Sequence, residues 1–297
     1  MLPHPAPHSS VRRHPRRYRA LALVVLSRGC RAAPPRLARP DGTSAMVAIS
    51  AKTFLMGTDS AKLRALLARY RTTHADLFTG EMPRRSVTVA AYEIDRTTVT
   101  KSQFRVFVIA NPKWARGALK ASAHNGHYLE DWTGTDFPAG EANRPVAFIT
   151  WPAADAYCGW AGKRLPTEPE WELAALGGLS DPEFSWGDAL PDSARANWSG
   201  THIGHTTDVG GYSPNGLGVY DMAGNVWQFM ADRWDDEQLS VLTTAQGRRR
   251  GTRYTIRGGS FEGGVINLRV RYRDSHPWDG AGKHVGFRCA RSRPPLG

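Results

Sequence analysis

Apolar residues recur along this chain with two periods, and the changes of period mark the elements. The stretch 49–60, "ISAKTFLMGTDS", alternates apolar and polar positions and closes on Gly-Thr-Asp, as a strand running into a turn does. Leu63, Leu66, Leu67 and Tyr70 then fall at helical spacing, with Ser60 placed as an N-cap. Residues 84–100 return to strand character, and Thr100 stands where it can cap a helix over 101–111. Between 113 and 143 Gly, His, Trp and Asp follow no period, which predicts a long ordered loop. The apolar run 144–151, "RPVAFITW", reads as a further strand. Pro152 suits the first turn of a helix that ends at Gly162. Thr167 with Glu170 three residues on forms a capping box, and Pro169 lies within the permissive first turn. From 175 onward short strands and turns follow ("FSWGD", "SPNGLGVYDMAGNVWQFM", "YTIRGGSF", "LRVRYR", "HVGFRCAR"). A few helices followed by short strands, without a βαβ rhythm, predict an α+β fold.

Composition sharpens this picture. With 30 glycines, 20 prolines and 10 tryptophans in 297 residues, the chain suits a loop-rich fold pinned by aromatic rings. The formal charge of +12 invites a nucleic-acid reading until it is located. Residues 1–40 hold nine arginines and no acid, so the remainder carries only +3, which leaves no footprint for nucleic acid. Arg248, Arg249, Arg250 and Arg253 read as a solvated loop. The basic leader, residues 1–45, reads as an address: Arg16 and Arg17 precede the short apolar run "ALALVVL" and a small-residue stretch, the order of a twin-arginine export signal. Seven apolar residues cannot span a bilayer, so no stable membrane insertion is expected. Residues 46–297 are expected to form one domain, located in the periplasm or secreted. Cys158 and Cys289, the two cysteines of that body, are open to two readings, a disulfide or two separate buried thiols. The pairs His124/His127 and His202/His205 have no third ligand at zinc-like spacing and read as loop histidines.

Seven ordered pieces between about 52 and 292 carry a resemblance: "FLMGTDS", "YEIDRTTVTKSQFRVF", "RPVAFITWPAADAYCGWAGKRLPTEPEWELAALGG", "SWGD", "SPNGLGVYDMAGNVWQF", "RGGSF" and "VGFRCAR". Together they resemble the formylglycine-generating enzyme, or sulfatase-modifying factor, superfamily. The resemblance implies that superfamily's fold, a C-type lectin-like variant with little regular secondary structure. It implies a bridge between Cys158 and Cys289. It also implies a calcium site in "DMAGNVWQF", with ligands from Asp221, the carbonyls of Gly224 and Val226, and Gln228. Oxygen donors suit calcium, although this chain carries the acid first and the amide last where relatives more often have Asn and Glu.

Formylglycine-generating members place two cysteines shortly after the GGS, and those thiolates hold copper(I). Here residues 261–268 read "FEGGVINL" and contain neither, and soft copper(I) requires soft ligands. Copper and the formylglycine reaction are therefore disfavoured. Glu262 becomes the acid–base candidate, because a carboxylate partly withdrawn from water in that pocket suits proton transfer. Ser260, Arg273, His276 and Trp278 fall where relatives form the substrate groove. Alternation along "NLRVRYR" would turn Leu268, Val270 and Tyr272 to one face and the arginines to the other, where they could meet an anionic substrate or pair with Glu262. The expected function is an exported, oxidoreductase-like maturation factor for a small-molecule or peptide precursor, as in a cysteine-free branch that matures a siderophore chromophore. A non-catalytic lectin-like binding module is the alternative, which an open groove with Glu262 in water would favour.

Overall fold

The computed structural model describes residues 45–234 and 252–293. The leader arginines, Cys30 and Arg248 to Arg250 lie outside the described residues. The elements in chain order are β1 (Met46–Ile49), β2 (Lys52–Met56), α1 (Leu63–Tyr70), α2 (Asp76–Thr79), β3 (Arg85–Val89), β4 (Tyr92–Asp95), α3 (Lys101–Ala110), α4 (Trp151–Trp160) and α5 (Glu168–Ala175). They continue with β5 (Trp227–Arg233), β6 (Arg253–Arg257), β7 (Asp274–Pro277), β8 (Val285–Gly286) and β9 (Ala290–Ser292). Helices and strands coexist without βαβ repetition, and long irregular stretches join them, so the fold is α+β and loop-rich.

Three small sheets organise the chain. The strands order as β1-β4-β9, as the pair β2-β3, and as β7-β6-β5-β8, in which only β5 and β8 run parallel. Two apolar clusters fill the spaces between them. One is aromatic, built on Phe104, Phe107, Trp132, Tyr157, Phe229 and Phe287 from α3, α4, β5 and the loops; the other packs α5 against β1, β4 and the β2-β3 pair through Phe54, Met56, Ile94, Trp171 and Val270. Large buried rings remove a large apolar area from water, which helps a fold with so little regular structure hold together. The Cys158–Cys289 disulfide, with Cα atoms 5.6 Å apart, ties α4 to the chain just before β9.

Both capping boxes form. Thr100 accepts from Gln103 N while Gln103 returns to Thr100 N, and Thr167 and Glu170 do the same at α5. At α1 the cap is Asp59 rather than Ser60: its Oδ1 accepts Ala61 N at 2.9 Å and starts a 3₁₀ turn, Ser60–Lys62, that leads into the helix. The stretch 144–151 is not a strand. It makes one bridge, Pro145 to Thr100, and Phe148 then adopts φ +54, which ends any extended run. "FSWGD" is a turn closed by Phe184 and Gly187, and the "SPNGLGVYDMAGNVWQFM" stretch becomes strand only at Trp227.

The largest departure concerns "LRVRYR". It is a 3₁₀ turn (Val265–Leu268) followed by irregular chain, and its arginines do not face water. Arg269 meets Glu81 and Glu183, Arg271 meets Asp181 at 2.5 Å, and Arg273 meets Glu168 at 2.5 Å through Nε. Arg257, fully buried, meets Glu168 at 3.1 Å and also Glu172. Alternation failed as a guide because the carboxylates come from 81, 168, 172, 181 and 183, and they draw every guanidinium inward.

Candidate functional site

The GGS segment leaves the end of β6 through two left-handed glycines, φ +94 at Gly258 and +73 at Gly259. Side chains are excluded at both positions: a Cβ on Gly258 would lie 3.2 Å from the Trp171 ring, and one on Gly259 would lie 2.9 Å from Leu268. Ser260 is buried, and its hydroxyl accepts Glu262 N at 3.2 Å, which fixes the turn presenting Glu262. Phe261 and Leu268 point inward, Leu268 into an apolar cluster with Phe184, Ala196 and Ala223. Residues 261–268, where the resemblance implies the thiolates of copper-binding members, hold no cysteine.

Glu262 sits at the rim with its side chain 42% exposed. Lys283 Nζ lies 2.7 Å from one oxygen, and His284 Nδ1 lies 3.3 Å from the other. None of the four neighbouring arginines pairs with it, since each is held by another carboxylate; the expected arginine partner is replaced by Lys283. His284 stands edge-on to His276, ring centres 5.9 Å apart. Burial lowers the His284 pKa below its ordinary value, with Glu262 pulling it back and Lys283 adding to the fall. Burial, helped by His284 and Arg253, lowers His276 to about 4. Both imidazoles are therefore neutral near pH 7. His276 Nε2 is buried and has no hydrogen-bond partner among the described residues.

Of the expected groove, Ser260, Glu262 and His276 come together around His284. Trp278 is partly buried against the aromatic cluster. Arg273 lies elsewhere: it clamps Glu168, donates to Gly80 O at 3.0 Å and covers the Trp234 ring. Lys283 and His284 were missed because His284 counts only as the first residue of the short strand piece "HVGFRCAR" and Lys283 only as the residue before it. The available signal was a basic pair just ahead of the "VGFRCAR" piece.

The four residues expected to bind calcium sit together behind the GGS turn, where Gly224 N donates to Gly258 O at 2.8 Å. Gln228 Oε1, however, accepts Trp171 Nε1 at 2.8 Å and Arg288 Nε at 2.7 Å, and Gln228 Nε2 donates to Asp221 O at 2.8 Å. Asp221 Oδ2 accepts Gly210 N at 2.8 Å, and burial raises its pKa. A dication at Gln228 would face two N–H donors, one of them on a buried guanidinium. These residues do not fit a calcium ion. No free thiolate stands among the described residues, because Cys158 and Cys289 are joined to each other.

Comparison with known proteins places this geometry. A family model for the sulfatase-modifying factor enzyme 1-like domain matches residues 32–293. The chain is 32% identical to the formylglycine-generating enzyme of Thermomonospora curvata, over 86% of this chain and 96% of that one. It is 31% identical to the mouse inactive C-alpha-formylglycine-generating enzyme 2, over 84% of this chain and 86% of that protein. Among solved structures, PvdO from Pseudomonas aeruginosa superposes with a TM-score of 0.67 at 24% identity, covering 86% of this chain and 97% of PvdO, a likeness of fold.

Proposed function

The chain belongs to the sulfatase-modifying factor family, and from that premise we propose that it is an exported maturation factor, oxidoreductase-like, for a small-molecule or peptide precursor of siderophore type. The observation that carries this reading is the Glu262–His284 pair at the rim of the GGS turn. A neutral imidazole that donates its Nδ1 proton to a carboxylate keeps its other nitrogen as a base. Glu262 then orients His284 and stabilises the imidazolium formed when a substrate proton is taken. Lys283 holds Glu262 in place and supplies positive charge beside a developing anion. Proton removal from a hydroxyl, amide or activated C–H of the precursor is the part of such an oxidation these residues can perform.

The experiment compares Glu262→Gln, a gene deletion and wild type in the producing strain by metabolite profiling. Loss of the mature product in both altered strains supports the assignment; an unchanged profile in Glu262→Gln beside a defective deletion removes Glu262 from the mechanism.

A second reading, a non-catalytic binding module, draws support from the exposure of Glu262 and its ion pair with Lys283. It expects the deletion phenotype to be rescued by Glu262→Gln and by His284→Gln alike, and to be lost only when a partner's binding is lost.

A further inference from the structure

A cavity of about 800 Å³ shares no lining residue with the Glu262 cluster. Its long wall is the unbroken run from Arg85 to Ala91, that is β3 and the two residues after it. On one side β3 pairs with β2 in register from Lys52 opposite Val89 to Met56 opposite Arg85. On the other side no strand pairs with it among the described residues. Outside that ladder no backbone hydrogen bond joins residues 86–90 to any described residue. A strand directs alternate N–H and C=O groups to each side, so this edge keeps a row of donors and acceptors turned toward the cavity.

Three carboxylates, Asp155, Glu170 and Asp232, line the cavity together with three arginines, Arg85, Arg164 and Arg293. Asp232, on β5, is 7% exposed, and its Oδ2 accepts Glu168 N at 2.6 Å. No lysine or arginine forms an ion pair with it among the described residues. Its carboxylate neighbours do have cations: Glu168 holds Arg257 and Arg273, and Glu170 holds Arg164 through two bonds of 2.7 and 2.6 Å. Arg164 is therefore already neutralised, and Arg293 stands at the end of the cavity beyond β9. Asp155, on α4, lines the cavity without a cationic partner among the described residues, and burial raises its pKa. Burial, with the field of Glu168, raises Asp232 to about 7. Arg85, Arg164 and Arg273 act on Asp232 through space, but none forms an ion pair with it among the described residues. A buried carboxylate in a cavity wall that no cation contacts is the chemistry that takes up an ammonium or guanidinium.

We propose that this cavity is a peptide-binding groove, in which an extended segment of a partner protein adds to the free edge of β3 and directs one lysine or arginine side chain to Asp232. Strand addition supplies affinity through main-chain hydrogen bonds, and a pocket for one side chain supplies selectivity. A run of seven residues spans roughly 23 Å at 3.3 Å per residue, enough for a heptapeptide to lie alongside. The groove is independent of the Glu262 reading, since no residue is common to the two.

The test uses the full chain and fluorescein-labelled heptapeptides of alternating threonine and valine, with lysine at the centre, read by fluorescence anisotropy. The lysine peptide is expected to bind saturably. Replacing its lysine by norleucine, or Asp232 by Asn, is expected to weaken binding on the order of thirtyfold, as removal of one member of a desolvated charge pair does. N-methylation of alternate peptide amides, which leaves the protein untouched, is expected to weaken binding to a similar extent. Hydrogen exchange should show protection of residues 86–90 when the lysine peptide is added. Equal binding of the lysine and norleucine peptides, no binding of either, or equal binding of the N-methylated peptide overturns the proposal.

Discussion

Replacing Arg257 by methionine tests whether the GGS turn is held by a buried charge. The side chain is fully buried beside Trp171, its guanidinium 5.2 Å from the ring centre. It donates to Glu168 at 3.1 Å, to Glu172, and to the carbonyls of Arg271 and Val270, each at 3.1 Å. Methionine keeps much of the volume and removes every donor. Glu168 retains Arg273, but Glu172 is left with only Gly57 N, at 2.8 Å, and no cation. Stranding one member of a buried pair costs about 3–5 kcal/mol. The two carbonyls add to the loss, not additively. In a chain of this size each kcal/mol moves Tm by roughly 2–4 °C, so a fall on the order of 10 °C is expected. Urea unfolding should show a lower midpoint with an unchanged slope. The double variant Arg257→Met with Glu172→Leu should recover at least half of the loss, because the stranded charge is gone. A single-variant loss under about 1 kcal/mol, or a double variant no better than the single one, refutes the account.

Three further outcomes follow from the same geometry. Asp232 has its carboxyl raised by burial from 3.8 to about 7, so the folded state holds its proton over that interval while the unfolded state releases it; wild-type stability should fall as pH rises from about 4 to 7, by on the order of 4 kcal/mol at most, and Asp232→Asn should flatten the slope in pH-dependent denaturation. Cys158→Ala removes a bridge spanning 131 residues, for which the chain-entropy relation gives about 5 kcal/mol; equal stability of oxidised wild type and variant would sink that expectation. Thr167→Ala removes one half of the α5 capping box and should cost ~1 kcal/mol in chemical denaturation, with Thr167→Ser restoring it.

Features written in adjacent residues were legible from the chain alone. The capping boxes at Thr100 and Thr167 need only a side chain and an amide three positions away, and both form. Gly162, expected to end its helix, turns the chain at φ +71 just after α4. The strand expected over 144–151 failed because a short apolar run reports burial and not conformation: Val146 and Ile149 are fully buried, yet Phe148 sits in the left-handed region. The arginine row failed for a different reason. Its partners lie 105 residues away for Arg273 with Glu168 and 188 for Arg269 with Glu81, and no local period encodes such pairs. Ser260, Glu262 and His276 were placed together by the order of the motifs, whereas Lys283 and His284 were invisible until the chain before β8 was brought against the GGS turn.

These two failures bear on the chemistry as well as on the fold. Had the arginines faced outward, the site would offer a strongly basic surface and Glu262 would be one anion among several cations. With every neighbouring guanidinium matched to a carboxylate, the cation that pairs with Glu262 at the rim is Lys283. Leu268 and Phe261 meanwhile are buried behind the turn, whereas Glu262 and His284 are partly exposed. The arginine network is therefore scaffold: it fixes the backbone on both sides of Gly258 and Gly259, and that rigidity holds Glu262 within reach of His284 although both are partly in water. Proton chemistry at such a site gains little from desolvation and depends on geometry. Arg257, one step before the glycines, makes no contact with Glu262, so any effect of Arg257→Met on the proposed activity is expected to pass through the backbone of the turn.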